Sequence, residues 1–218
     1  MSLGGALHAD LAYGVAHACA DGEEVSGDAW VALADGDERV LLAAIDGLGH
    51  GAAAREAAEL AAATIRAHAD AQLPSLVRAC HEALVGTRGA ALTVARIELR
   101  ARMLTWLGIG NVAGLIAPAV ASASAPEALL LAGVVGDRLP QLVPVTVALG
   151  DGDTVLLATD GIVGAHAGEL RVPGALGPLA DGLLHRHRHG SRDDALVLVA
   201  RVGPGIGTAE AEHRSIVS

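Results

Sequence analysis

The stretch VLLAAIDGLGHGAAAREAA, residues 40–58, contains the change of pattern that decides the fold. Its first residues form a short apolar run that ends abruptly at Asp46, as expected for a buried strand. An Ala-rich segment then continues to residue 71, with acidic residues in its first half and Arg66 near its end, an order that complements a helix dipole. The sequence therefore predicts a strand, a glycine-rich turn and a helix.

Strand patterns lie on both sides of this unit. Upstream, residues 6–20 alternate loosely, and residues 26–47 read as two strands around an Asp-Gly turn at Asp35. The predicted downstream elements are a helix over residues 73–86, strands from residue 90 onward, a hairpin around residues 150–153, a short helix over residues 178–190 and a last strand over residues 193–201. Strands that bracket helices without regular alternation favour an α+β sandwich of antiparallel sheets.

The composition excludes several classes of function. The 218-residue chain is 52% hydrophobic and 18% charged, as in a globular protein, and its formal net charge is -10. All of its basic residues are Arg, and the absence of Lys excludes Schiff-base, Walker A and kinase-type lysine chemistry. The acidic balance argues against a general nucleic-acid binder. We expect one domain over residues 1–202 and a flexible tail over residues 203–218.

One uncharged stretch, residues 103–121, approaches the ~20 residues that a membrane span requires. It contains several glycines and a proline, which favour strands joined by a turn. No signal peptide is visible at the N-terminus. Cys19 and Cys80 lie in apolar segments without metal-type spacing, as buried thiols in a reduced compartment would. We therefore expect a cytoplasmic protein without a membrane segment.

Four aspartates lie at the ends of apolar strands or in turns beside them. A carboxylate there is costly unless it is solvated, hydrogen-bonded or bound to a cation. One such residue alone is most often a cap or turn residue, but four from distant parts of the chain can meet at one rim. Oxygen-only ligands suit Mg²⁺ or Mn²⁺, and two such ions can activate a water for phosphoryl displacement. The four residues are Asp28, Asp46, Asp160 and Asp193.

The stretch from Gly47 to Ala52 has a competing interpretation, because strand, G-x-G-x-x-A and helix resemble a dinucleotide-binding turn. Two features argue against it. Asp46 would lie beside the negatively charged pyrophosphate, and the following ~20 residues continue as helix instead of the second strand with a ribose-binding acid.

Six motifs together resemble the metal-dependent protein phosphatase 2C superfamily, in particular its bacterial SpoIIE-like branch and the short stress-module phosphatases within it. These motifs are SGDAW, IDGLGHG, GIGNV, VVGDRLP, LATDGI and RDDALVLVAR, and the resemblance extends from about residue 14 to residue 201. The resemblance implies an αββα four-layer sandwich in which helices flank two central, mostly antiparallel sheets. It also implies a site for two Mn²⁺ or Mg²⁺ ions.

The resemblance assigns metal-binding roles to five positions. Asp46 would bridge the two ions, and the Gly47 carbonyl and Asp28 would complete the shell of one. Asp160 and Asp193 would hold the other, and Asp194 is the less secure of the Asp pair because the first position carries the ligand in this superfamily.

His50 and the arginines leave alternatives open. His50 stands two places beyond the position of a proton-donating His in other members, so it is either that donor, a hydrogen-bonding partner of the site or a helix cap. Arg192 and Arg138 are candidates for phosphate binding by position only, and the HRHRH stretch over residues 185–189 predicts a solvent-facing polar patch.

The resemblance implies a phosphoserine or phosphothreonine protein phosphatase that acts on a phosphorylated STAS-domain protein in a partner-switching or stressosome-like module. The alternatives are a catalytically inactive binding module of the same fold and, less favoured, the dinucleotide-binding enzyme.

Overall fold

The computed structural model describes residues 2–121 and 125–203, in which eleven strands form two sheets. The strands are β1 (Ser2–His8), β2 (Leu11–Ala18), β3 (Asp28–Asp35), β4 (Arg39–Gly47), β5 (Ala90–Glu98), β6 (Met103–Ile109), β7 (Ala113–Ala117), β8 (Leu130–Leu131), β9 (Val145–Ala148), β10 (Thr154–Ala158) and β11 (Ala195–Val202). The helices are α1 (Ala52–Ala67), α2 (Leu73–Leu84), α3 (Ala167–Leu170) and α4 (Leu176–His187).

The first sheet has the strand order β1-β2-β11-β10-β7, and the second has the order β3-β4-β5-β6-β8, with β9 also paired to β6. Strand neighbours are antiparallel except for the short pairing of β6 with β8. In particular, β4 and β5, which flank α1 and α2 in the chain, are antiparallel. A dinucleotide-binding unit needs parallel strands there, so that interpretation of residues 47–52 is wrong.

The apolar run of β4 is buried on both of its faces. Side chains alternate along a strand, and Leu41 and Ile45 pack with α1 and α2, whereas Leu42 and Ala44 pack in the core between the two sheets. A third core joins α4 to the outer face of the first sheet. The layers are therefore helices, sheet, sheet and helices, and the αββα sandwich predicted from the sequence is confirmed.

Two predicted connections differ in the structure. The stretch around residues 150–153 was expected to be a hairpin, but β9 pairs with β6 in the second sheet, whereas β10 lies between β7 and β11 in the first. The hairpin prediction is therefore wrong, because alternation shows that a segment is a strand but not which sheet it joins. Residues 103–121 do form strands, and these also lie in different sheets, as β6 and β7.

Three smaller expectations have different outcomes. Cys80 is buried, whereas Cys19 is only half-buried, and both are free thiols. No helix in the described part of the chain is long and apolar enough to cross a membrane. The predicted flexible tail, residues 203–218, lies outside the described residues except for Gly203, whose N–H bonds to the Asp10 carbonyl.

Candidate metal centre

Asp28 and Asp46 lie side by side at one end of the second sheet. Asp28 is the first residue of β3, and its Cα partner across the antiparallel pair is Asp46 near the end of β4. By strand alternation, Asp46 lies on the same face as Ala44, which packs in the core between the sheets. Both carboxylates therefore stand at the mouth of the gap between the sheets.

The first sheet contributes Thr159, which directly follows β10. Its side chain is 1% exposed. The Thr159 hydroxyl donates a hydrogen bond of 2.8 Å to Asp28 Oδ2 and accepts one of 2.9 Å from the backbone N–H of Leu196. Sequence reasoning did not identify Thr159, although its place next to Asp160 in the TDG motif was the available signal.

Asp160 follows Thr159 and is held by an asparagine from another connection. Asn111 lies between β6 and β7, where the chain crosses from the second sheet to the first. Its Nδ2 donates a hydrogen bond of 2.6 Å to Asp160 Oδ2. Asn111 belongs to the GIGNV motif, and the structure gives it a contact with a predicted metal ligand.

The Asp193–Asp194 pair precedes β11, and its two members have different surroundings. Asp194 is 3% exposed and accepts hydrogen bonds from the backbone N–H groups of Ala20 and Gly27, at 2.9 and 2.7 Å. Asp193 is exposed, and within the described ranges the only polar contact of its carboxylate is the N–H of Asp194 at 3.0 Å. Asp193 is thus the carboxylate of the pair that is free to bind an ion, and Asp194 fixes the loop before β3.

Close backbone packing holds the loop after Asp46. The Gly47 N–H bonds to the Gly27 carbonyl, and the Leu48 N–H bonds to the Gly89 carbonyl, each at 3.1 Å. A Cβ on Gly47 would lie 2.1 Å from the carbonyl oxygen of Ala54, so no side chain fits there. The structure thus requires glycine at the position whose carbonyl the sequence assigned to a metal.

His50 lies in the same loop and is exposed. Its Nδ1 is 2.6 Å from Glu23 Oε1. Helix α1 begins at Ala52, and its N-cap is Gly51 without a side-chain cap. The helix-cap alternative for His50 is therefore wrong, and the partner in the hydrogen-bond alternative is Glu23.

Burial and mutual repulsion raise the pKa values of three of these aspartates. Burial, followed by the charges of Asp160 and Asp193, raises the pKa of Asp46 to about 7. Burial and the neighbouring Asp46 raise the pKa of Asp28 well above its usual range, although the Thr159 hydrogen bond acts in the opposite direction. The pKa of Asp160 is also raised, by burial and by Asp193. These carboxylates are therefore close enough at one end of the sandwich to repel one another electrostatically.

The chemistry of this donor set fits a hard divalent cation, because every side-chain donor is a carboxylate oxygen. Across residues 2–121 and 125–203, no three His, Cys, Asp or Glu side chains already stand close enough to hold an ion. A cation held there by one or two of these carboxylates would complete its shell with water. Its charge would relieve the repulsion that raises the pKa of Asp46.

The other polar candidates from the sequence lie around this site or apart from it. Arg138 and Arg192 are exposed, and neither makes a side-chain contact with the four aspartates in the described structure. In the stretch over residues 185–189, His187 is not simply solvent-facing, because its Nε2 is 2.7 Å from Glu169 Oε2 and its Nδ1 is 3.1 Å from the Val163 carbonyl. The prediction of a solvent-facing patch is therefore wrong for His187 and also for Arg188, whose Nη2 donates to the Cys19 carbonyl.

Comparison with known proteins places the chain in a family. The family model described as Stage II sporulation protein E (SpoIIE) matches residues 36–203. Phosphoserine phosphatase RsbX of Bacillus subtilis (strain 168) is 29% identical over 92 residues, which cover 42% of this chain and 46% of that protein. The match thus spans about half the length of this curated relative.

Solved structures share the fold over most of the chain. One is a structure of the bacterial stressosome, described as a modular system that has been adapted to control secondary messenger signaling. A chain in it is 27% identical to this chain, with a TM-score of 0.82, and the match covers 88% of this chain and 99% of that one. RsbX in complex with magnesium has 20% identity, a TM-score of 0.83 and coverage of 93% and 100%. The catalytic domain of the serine threonine protein phosphatase PstP with two manganese ions has 18% identity, a TM-score of 0.68 and coverage of 89% and 99%.

The chain therefore belongs to the SpoIIE family, the branch of the protein phosphatase 2C superfamily that its motifs resemble. Within that family it is RsbX-like, in its sequence and in its fold.

Proposed function

We propose that this chain is a metal-dependent protein phosphatase that hydrolyses phosphoserine or phosphothreonine with a water activated by Mn²⁺ or Mg²⁺. The observation that carries the proposal is the meeting of carboxylates from both sheets at one end of the sandwich. Asp28 and Asp46 are Cα partners in the second sheet, and Thr159 joins Asp28 to the segment that carries Asp160 in the first. Relatives whose structures contain magnesium or two manganese ions support the choice of metal.

Asp28, Asp46, Asp160, Asp193 and the Gly47 carbonyl would hold two ions. When bound, such ions lower the pKa of water, so that a nucleophile forms at neutral pH, and offset charge on the phosphoryl oxygens.

Two hydrogen bonds in the chain orient these ligands before any ion binds. Thr159 fixes one oxygen of Asp28, and Asn111 fixes one oxygen of Asp160. In each case no other side chain of the described residues hydrogen-bonds to the carboxylate. Such supporting contacts typically matter for affinity because they set the orientation of a ligand.

The site favours direct attack by water on phosphorus over a covalent enzyme intermediate. Neither Cys nor Ser belongs to the proposed ligand set. Ser26 lies beside Asp28, but it is 2% exposed, and its hydroxyl accepts a hydrogen bond of 3.1 Å from the Asp28 N–H. The Ser26 hydroxyl oxygen is therefore hydrogen-bonded within the loop and is not accessible to a substrate.

The proposed substrate is a phosphorylated STAS-domain protein of a partner-switching or stressosome-like module. The likeness to RsbX and to a chain of a stressosome structure supports this choice. We also propose that the protein acts in the cytoplasm, and that residues 1–202 form the phosphatase domain and residues 203–218 a flexible tail.

The test is metal-dependent hydrolysis of p-nitrophenyl phosphate and of a phosphoserine STAS-domain protein by the wild type, Asp46→Asn and Asp37→Asn. Asp37 is exposed in the turn at the opposite end of β4, so its variant is a matched control. We expect Asp46→Asn to lose more than 90% of the activity, a barrier increase above ~1.4 kcal/mol, and Asp37→Asn to keep it. An inactive wild type would favour the binding-module alternative, and an active Asp46→Asn would remove Asp46 from the site.

A further inference from the structure

Arg88 lies in the turn between α2 and β5, beside the loop that carries Asp46. Gly89 accepts a hydrogen bond from the Leu48 N–H through its carbonyl, and Ala90 is the Cα partner of Gly47. The backbone of Arg88 is therefore in register with the loop that follows Asp46.

The turn around Arg88 is fixed by its neighbours. The Thr87 hydroxyl donates to the Leu84 carbonyl at 2.7 Å and accepts from the Gly89 N–H at 3.0 Å. Gly89 has a φ of +78°, and a Cβ there would lie 2.7 Å from the Val135 carbonyl oxygen. Only glycine fits this conformation and this space. The backbone of the turn that carries Arg88 is therefore held in one conformation by its hydrogen bonds and by this close packing.

The guanidinium of Arg88 packs on the Asp46 loop at Gly49. A Cβ added to Gly49 would lie 2.6 Å from Arg88 Nη1, and Gly49 has a φ of +89°. The loop therefore leaves space for the guanidinium where another residue would have a side chain.

Among the described residues, Arg88 has no acidic partner, which it shares with the exposed Arg78, Arg138 and Arg192 but not with several other arginines. Arg55 pairs with Glu59, Arg100 with Glu38 and Arg102 with Asp151. Arg88 is exposed, and no carboxylate or carbonyl of the described residues pairs with its guanidinium. A free guanidinium on the loop that follows Asp46, in a chain of formal net charge -10, is available for an anion that the four aspartates alone would repel.

We propose that Arg88 binds the phosphoryl oxygens of the substrate at the rim of the metal centre. This inference builds on the proposed phosphatase activity. A guanidinium presents its N–H donors as a planar fork that matches two phosphate oxygens, which an ammonium does not. Arg192 and Arg138, the candidates from the sequence, have no described contact with the Asp46 loop, and Arg88 takes the role expected of them.

The test compares wild type, Arg88→Met, Arg88→Lys and the control Arg100→Met. Arg100 is an exposed arginine at the opposite end of β5, and methionine keeps apolar length over Gly49. Three quantities are measured with Mg²⁺: KM for p-nitrophenyl phosphate and for a phosphoserine peptide, the inhibition constant of inorganic phosphate, and the rise in Tm that phosphate causes. The last of these measures binding without turnover.

We expect Arg88→Met to raise both KM values and the phosphate inhibition constant about ten- to hundredfold and to abolish the phosphate-induced rise in Tm. Arg88→Lys should recover part of each, and Arg100→Met should match the wild type. Unchanged phosphate inhibition in Arg88→Met, a defect confined to the phosphopeptide, or weaker Mg²⁺ binding with normal phosphate binding would each overturn the inference. A wild type without activity would instead contradict the phosphatase assignment.

Discussion

Thr159 and Asp28 join the two sheets at the candidate metal centre. The Thr159 hydroxyl, directly after β10, donates a hydrogen bond to Asp28 Oδ2 at the start of β3. The two residues are separated by 131 positions in the chain. Both are buried, at 1% and 4% exposure. Because hydrogen bonds in a buried, low-dielectric environment are strong and directional, this contact fixes the distance between the sheets where the carboxylates meet.

Thr159→Val should therefore weaken both the fold and metal binding. Valine keeps the shape but leaves the Asp28 carboxylate and the Leu196 N–H without their partner, at a cost of about 1–3 kcal/mol in the free energy of unfolding. We also expect a higher Mn²⁺ concentration for half-maximal activity, because Asp28 loses its orientation. Urea denaturation and Mn²⁺ titration of activity measure the two effects.

Thr105→Val is the matched control, since the Thr105 hydroxyl bonds only to that of Thr146 at an exposed position between β6 and β9. It should change neither quantity appreciably. Normal Mn²⁺ dependence in Thr159→Val would show that Thr159 supports the fold alone.

The adjacent aspartates before β11 should separate metal binding from loop stability. Asp193→Asn should reduce the rise in Tm that Mn²⁺ causes and leave the metal-free Tm almost unchanged, because Asp193 is exposed. Asp194→Asn should instead lower metal-free stability by about 1–3 kcal/mol, since Asp194 accepts the N–H groups of Ala20 and Gly27. Differential scanning fluorimetry with and without Mn²⁺ measures both effects. If Asp194→Asn reduced the Mn²⁺-induced rise in Tm and Asp193→Asn lowered the metal-free stability, Asp194 would be the ligand.

The stability of the metal-free protein should depend on Asp46 in a particular direction. Its pKa is about 7 in the folded protein and about 3.9 when unfolded, so the folded state holds a proton that the unfolded chain releases. The contribution of Asp46 to stability is therefore complete below about pH 4, decreases as the pH rises and is lost above about pH 7.

Removal of this charge should stabilise the metal-free protein at high pH. Each unit of pKa difference corresponds to ~1.4 kcal/mol, so Asp46→Asn should exceed the wild type in stability by a few kcal/mol at about pH 8. Near pH 4 the two should be similar. Urea denaturation in the presence of EDTA measures the difference, with Asp37→Asn as the control, and equal stability at both pH values would contradict the raised pKa.

His50 is expected to order the loop through Glu23 and not to protonate the leaving group. A general acid matters most for a poor leaving group such as a serine alkoxide and little for p-nitrophenolate. His50→Ala should therefore slow phosphopeptide and p-nitrophenyl phosphate hydrolysis to a similar extent, and Glu23→Gln should produce a similar change. Selective loss on the phosphopeptide with unchanged Mn²⁺ affinity would instead identify His50 as the acid.

The order of strands and helices could be predicted from the sequence because local patterns determine it. The apolar run before Asp46 and the Ala-rich segment after it indicated β4 and α1. β4 formed close to the predicted bounds, whereas α1 ends at Ala67, before the end of the Ala-rich segment at residue 71. The hairpin around residues 150–153 could not be predicted correctly, since β9 and β10 both read as strands but join different sheets.

The sequence by itself determined where strands end in carboxylates and which motifs place the chain in its family, because each of these is a property of neighbouring residues. Only the tertiary structure decided the contacts between distant segments. It separated Asp193 from Asp194, which are equivalent in sequence but differ in burial and hydrogen bonding. It also brought Thr159 to Asp28 and Arg88 to Gly49, and such meetings depend on how the two sheets pack, which no local pattern encodes.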